Sequence, residues 1–384
     1  MEKVVSILTD ALANGSNQKA LISKLRKIVS TEETPEEKLA LLNGLWRGCL
    51  DQCIICPKKD RTVDKMVVFL TNFIASSVDD DYVLASAMDH LLLRSRAIDK
   101  VIRLRTCQII AGLMLKIQGA EINEDVLEKM IAALTPRLRD KAPNVRVWAV
   151  KIFEWLQNPQ DETDFIIDEM IRLLNEDGSK EVRIAAVESI SLKQTTLPMI
   201  IARVKDIKPE VRVAAYKRLS SGSISVKNLD SSSVALVLRF GLNDRDASVK
   251  TACKILILKW MADYNNDVPK FLRFMEYESN EEEAELCCHA IMEMVEKGEN
   301  GVSHELSVSV RQDGPNWETP MGKLPPSEVL WAFNRCDYAH RFMSQVAAAA
   351  FVDALVPDMV TLGGMLQEAR KPALYRYDDS DLRL

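Results

Sequence analysis

The most reactive spacing in the chain is Cys49, Cys53 and Cys56, which contains a CxxC and supplies half of what a zinc site would need. Zinc fixes its geometry with four ligands, and no second CxxC or histidine lies nearby in sequence. The same cysteines stand at helical spacing among Leu50, Ile54 and Ile55, the pattern of thiols buried on an apolar helix face. Cys287-Cys288-His289 brings together the residue types of a cysteine nucleophile and its base, but adjacent helix positions do not face each other. The chain has four histidines, no Gly-rich phosphate loop, no GxSxG and no HExxH, so little material remains for an active site. The expectation is a protein that is not an enzyme and uses no cofactor and no metal.

Positive charge is the more informative chemistry. The net charge of −6 hides an asymmetry. Between Arg94 and Lys259 there are 28 Lys plus Arg against 21 Asp plus Glu, a surplus of seven, which leaves 22 against 35 for the rest of the chain. Arg94, Arg96, Lys100, Arg103, Arg105, Arg137, Arg139, Lys141 and Arg146 recur along this segment. Gathered on one surface, they would suit a phosphate backbone. The bland alternative is a solvated surface with structural Arg-Asp pairing.

The elements that would gather them are read from internal repetition. An Asp is followed six residues later by an Arg or Lys preceded by an aliphatic residue, and small residues come next. The copies are Asp99 with Arg105, Asp140 with Arg146, Asp177 with Arg183, Asp206 with Arg212, and Asp244 with Lys250. Their basic positions lie 41, 37, 29 and 38 residues apart, a period that fits helix pairs of the HEAT or armadillo type. Pro143 and Pro209, three residues after the Asp, mark the first turn of each second helix, and Ser179 and Asp246 are the expected N-caps. The Asp then sits in the turn between paired helices, and an Asp-Arg ladder could run from repeat to repeat. Trp148, Trp155 and Trp260 fall on these helices as packing anchors.

Composition agrees with an all-α fold: 47% hydrophobic residues, only 6% aromatic, and a predominance of helix formers. Eight scattered cysteines without a signal-like N-terminus suggest a reducing, intracellular setting, and no membrane span is expected. The expected organisation has degenerate HEAT-like helices over 1–93, regular repeats with a basic surface over 94–260, an acidic helical repeat over 261–298, a loop or disordered insertion over 299–324, and helices with an acidic tail over 325–384. Residues 17–48 read as amphipathic helix, and 63–93 as two helices broken at Asp79-Asp80-Asp81.

The wording between the repeat positions is more specific than the period. VIRLRTCQIIAGLM (101–114), EINEDVLEKM with LTPRLRDKAPNVRVWAVKIFEWLQNPQD (121–161), LPMIIARVKDIKPEVRVAAYKRL (197–219) and GLNDRDASVKTACKILILKW (241–260) resemble the HEAT-repeat, non-SMC subunits of condensin. LPPSEVLWAFNRCDYAHRF (324–342) resembles a family stretch in which Phe333-Asn334 replaces a usual Trp-Arg pair. The resemblance covers about 20–370. It implies a curved HEAT α-solenoid that binds the kleisin subunit of condensin and, with it, clamps double-stranded DNA without sequence specificity. It also implies indirect association with the SMC ATPase subunits, and location in the nucleus and on mitotic chromosomes. By local match, Lys58, Lys59 and Arg61 fall where members tend to be basic. They join Arg94, Arg96, Lys100, Arg103, Arg137, Arg139 and Lys141 as candidate DNA contacts. Members are typically more than twice this long. The competing expectation is a HEAT scaffold for protein partners alone.

Overall fold

The computed structural model describes residues 2–13, 17–56, 60–158, 160–161, 164–221, 224–299, 301–312 and 314–378. Among them every regular element is helical. Two compact units divide the chain, Met1–Thr196 and Leu197–Leu384.

In the first unit the helices are α1 (Glu2–Leu12), α2 (Gln18–Ser30), α3 (Pro35–Leu45), α4 (Asp51–Ile55), α5 (Arg61–Ala75), α6 (Asp81–Arg94), α7 (Lys100–Lys116), α8 (Glu124–Leu134), α9 (Pro143–Phe153), α10 (Phe165–Glu176) and α11 (Lys180–Ser189). Local chemistry sets their ends. The stretch read as one amphipathic helix over 17–48 is broken because Thr34 and Glu37 form a capping box and Pro35 stands at the first helical position. At the Asp79–Asp81 break, Asp80 accepts from the Tyr82 amide and starts α6. Between α3 and α4 the backbone makes a π-helical turn over Trp46–Leu50. It holds the fully buried Trp46, whose Nε1 donates to Ser86 Oγ at 3.1 Å and whose ring meets Phe73 at 6.4 Å.

From α6 onward, helices alternate as first and second members of pairs. Second helices stack on second helices, α7 on α9 and α9 on α11, and α8 lies beside α6. Their facing sides are lined by small or branched residues such as Cys107, Ala111, Val145, Ala149, Val182 and Ala186, all buried. Burying each large aliphatic side chain contributes about 1.5–3 kcal/mol, so repeat stacking is the main source of cohesion.

The second unit contains α12 (Leu197–Ala202), α13 (Pro209–Ser220), α14 (Ser231–Leu242), α15 (Ala247–Asp263), α16 (Val268–Phe274), α17 (Glu281–Lys297), α18 (His304–Gln312), α19 (Pro326–Phe342), α20 (Gln345–Leu355) and α21 (Met359–Asp378). Here α13 packs on α15, α15 on α17 and α17 on α19. At Gly241 a Cβ would fall 2.4 Å from Cys253 Sγ and 2.6 Å from Tyr216 Oη, so only glycine permits this approach of α14 to its neighbours. The segment 299–324, expected as loop, instead contains α18 and a 3₁₀ turn at Met321–Lys323. Leu306 and Val310, four residues apart, bury one face of α18 and hold it as helix.

No single described helix is long and apolar enough to cross a membrane. The cysteines of the CxxC segment are packing residues: Cys53 is buried and Cys49 and Cys56 are half-buried, with burial pushing the Cys53 thiol up to about 11. Cys287 and Cys288 are fully buried. Trp260 is buried, whereas Trp148 is partly exposed beneath the ammonium of Lys151, 4.9 Å from its ring centre.

Candidate nucleic-acid interface

The basic residues of the regular repeats fall into two groups with different partners. The first lies in the turn between paired helices. Asp140, Asp177, Asp206 and Asp244 each accept with Oδ1 from the backbone N–H two residues on, at Ala142, Ser179, Lys208 and Asp246, which closes the turn. Six residues after three of these aspartates an arginine donates Nη1 back to the aspartate's own carbonyl: Arg146 to Asp140, Arg183 to Asp177 and Arg212 to Asp206, at 2.7–2.9 Å.

The rest of the guanidinium reaches the next turn. Arg146 donates Nε and Nη2 to both oxygens of Asp177 at 2.7 Å, and Arg212 does the same to Asp244 at 2.7 and 2.8 Å. The planar fork thus ties successive repeats while its third nitrogen ties its own turn. Burial pushes the Asp140 and Asp244 carboxyls up, but the arginine and amide hydrogen bonds more than offset it and hold both below the ordinary carboxylate value.

The first copy is registered differently from the sequence pattern. Asp99 is the N-cap of α7, accepting from the Val101 amide, which is the place of Ala142, Ser179, Lys208 and Asp246 in the other copies. The turn position two residues earlier is therefore Ala97, and Arg103, six residues after it, takes the rung. Arg103 donates Nη1 to the Ala97 carbonyl at 3.0 Å and Nε and Nη2 to Asp140 at 2.7 and 2.9 Å. Arg105, singled out by the repeat pattern, reaches Gln108 Oε1 instead. Ser179 stands at the N-cap of α11 as expected, but its hydroxyl donates to Glu181 Oε2 and makes no capping bond to the first turn. The series has its last aspartate at Asp244, since Lys250 is exposed and has no ion-pair partner among the described residues.

Several candidate DNA contacts are consumed in this way. Arg103 is a rung, and Arg137 donates Nη1 to Asp140 at 2.8 Å. Arg139 pairs with Glu169. Arg94 makes a two-pronged bond to Asp51 at 2.9 and 2.7 Å, where His90 Nε2 also lies 2.8 Å from the carboxylate. A guanidinium so engaged has part of its charge neutralised and fewer N–H groups left for a phosphate.

The second group is free. Arg61, Arg96, Lys100 and Lys141 are exposed, with no side-chain hydrogen bond or ion pair among the described residues. Lys58 and Lys59 lie outside the described residues. Lys100 and Lys141 border a groove of about 810 Å³ where α7, α9 and α11 begin, floored by Val101, Leu104, Ala142, Pro143 and Val145. Helix N-termini carry partial positive charge and unpaired amides, which adds to the two ammonium groups for an anionic guest. Glu181, at the far side, is the acidic member of the lining. Sequence reasoning missed the register shift at Ala97. Counting from the helix start at Asp99, whose cap geometry matches the other N-caps, would have found Arg103.

Helix pairs tied by turn rungs define an all-α HEAT-repeat protein, and comparison with solved structures agrees. The crystal structure of the S. pombe condensin Cnd3-Cnd2 subcomplex superposes with a TM-score of 0.71 over 95% of this chain and 50% of that chain, at 20% identity. No family model matches. Among curated proteins, the chain is 31% identical over 291 residues to condensin complex subunit 3 of Xenopus laevis (73% of this chain, 28% of that protein). It is 27% identical over 318 residues to condensin complex subunit 3 of Homo sapiens (81% and 30%), and 26% identical over 287 residues to that of Schizosaccharomyces pombe (73% and 32%). The chain belongs to the condensin complex subunit 3 family, and it spans about 30% of the length of these relatives.

Proposed function

We propose that this chain is a non-catalytic HEAT subunit of condensin that holds a kleisin segment and duplex DNA, acting in the nucleus and on mitotic chromosomes. The observation that carries the DNA part is the separation of cations. The rungs hold Arg103, Arg146 and Arg212 in structure, while Arg96, Lys100 and Lys141 stay unpaired at the turns and helix starts of adjacent repeats. Unpaired, exposed cations release counterions on meeting phosphate, and no base edge needs to be read. The kleisin part rests on family membership.

The test is duplex binding by the chain, alone and with a kleisin fragment, across a salt series. The expected log-log slope is about −0.9 per phosphate neutralised. Lys100→Ala, Lys141→Ala and Arg96→Ala should each flatten it by about one such step. Arg139→Ala, which removes a paired cation, should flatten it less. Negligible duplex binding at every ionic strength, even with the kleisin present, would leave a protein-only scaffold.

A further inference from the structure

The second unit carries a cluster of metal-ligating side chains used by neither the rungs nor the groove. Glu285 and His289 stand four residues apart on α17 and share one of its faces. Asp337 and Arg341 repeat that spacing on α19, which packs against α17. One ligand atom from each of Glu285, His289 and Asp337 lies within 4.8 Å of the others. His289 Nε2 is buried and makes no hydrogen bond, yet it sits 3.1 Å from Asp337 Oδ2. The distance is that of a hydrogen bond and the alignment is not. Two ligands of one tetrahedral zinc ion stand about 3.4 Å apart, given bonds of about 2.1 Å.

Arg341 now supplies the local positive charge. It pairs with Asp337 Oδ2 at 2.9 Å and Glu285 Oε1 at 3.4 Å, and its side chain is 55% exposed, so it is free to leave. Tyr338 and Phe342 flank the imidazole at 5.8 and 6.0 Å between ring centres and fix its orientation.

We propose that Glu285, His289 and Asp337 form a zinc-type divalent-cation site that bridges α17 and α19, with Arg341 as its built-in competitor. The ion takes the imidazole nitrogen and one oxygen from each carboxylate, leaving a fourth position to water. Two carboxylates match a divalent charge better than one guanidinium does. The Arg-Asp rungs end at Asp244, so the ion supplies a cross-link between later helices of the same stack.

The test uses the full chain with its thiols reduced, titrated with Zn²⁺ against a chromophoric chelator and with Co²⁺ followed by visible absorption. One His289-dependent ion per chain is expected, with tetrahedral Co²⁺ bands and no thiolate charge-transfer band. His289→Ala and Asp337→Asn should each weaken binding by about tenfold or more. Arg341→Ala should tighten it, because the competitor is gone, and circular dichroism checks that each variant folds. His289→Gln gives a second readout should the alanine variant unfold. Zn²⁺ binding no stronger than background, or equal binding by wild type and the His289 variants as stray cysteines would give, overturns the site. Weaker binding by Arg341→Ala overturns the competitor.

Discussion

Arg146 with Asp177 and Arg94 with Asp51 are the same bond in two regions of the first unit. Each is a guanidinium fork on a carboxylate from another helix pair, with contacts of 2.7–2.9 Å. In the regular repeats the bond recurs, and the arginine also closes its own turn on Asp140. Among the described amino-terminal helices Arg94 makes it with two nitrogens, onto the residue directly after the π-helical turn and on a carboxylate shared with His90, while Arg26 reaches both oxygens of Asp79 at 2.9 Å with Nη2 alone. Chemistry does not separate the two; periodicity does. The contrast also shows why counting cations overstates a binding surface, since an arginine in either setting is already committed.

The largest effect is expected where the arginine serves two turns. Arg146→Ala leaves Asp177, whose side chain is 6% exposed, without its partner and frees the Asp140 carbonyl. Stranding a buried charge costs about 3 kcal/mol or more. Urea denaturation monitored by far-UV circular dichroism should show that loss, and Arg146→Lys should recover little because a single ammonium cannot span the fork. A loss below about 1 kcal/mol would reduce the rung to an ordinary surface pair.

Arg94→Ala should be milder. The Arg94 side chain is 33% exposed, and His90 remains beside Asp51 to share its charge. About 1 kcal/mol is expected after discounting for solvent screening. Equal losses from the two variants would mean that the second bond of Arg146, to its own turn, contributes nothing.

The same contrast explains what was legible in sequence. An aspartate three residues before the first helical residue, proline at that residue in α9 and α13, and small residues after the arginine or lysine are local signals, so α9, α11, α13 and α15 were readable. Arg103 was missed because Ala97 holds the turn where the other copies place aspartate, and the eye follows the aspartate. The pairing of Arg94 is hidden in the sequence because its partner Asp51 is 43 residues away with no repeat to announce it. Helix α18 was hidden by flanking Gly and Pro, although Leu306 and Val310 carried the burial. Which cations stay free depends on long-range pairing, and no window of sequence contains that. Lys100, Lys141, Arg103 and Arg137 are equivalent as sequence, and only the folded structure shows that Arg103 and Arg137 are bonded to Asp140.

The smallest effect is a pH dependence: the carboxylates contribute in full at neutral pH, and their contribution is lost only on acidification. Burial raises the Asp140 carboxyl, but the hydrogen bonds from Arg103 and the Ala142 amide and the charges of Arg103 and Arg137 outweigh it, so its folded value lies below the ordinary one. Asp51 is lowered in the same way, burial opposing Arg94 and His90. A carboxyl lowered on folding contributes stability that is fully present above its unfolded value of about 3.9 and is lost as pH falls through the folded value. Stability should therefore decline below about pH 4, and Asp140→Asn and Asp51→Asn should each flatten that decline. Salt separates them: the Asp140 side chain is 2% exposed and the Asp51 side chain 15%, so added salt should weaken the Asp51 contribution more. Equal salt sensitivity in acid titrations of the two variants would mean that burial, unlike recurrence, does not distinguish the two regions.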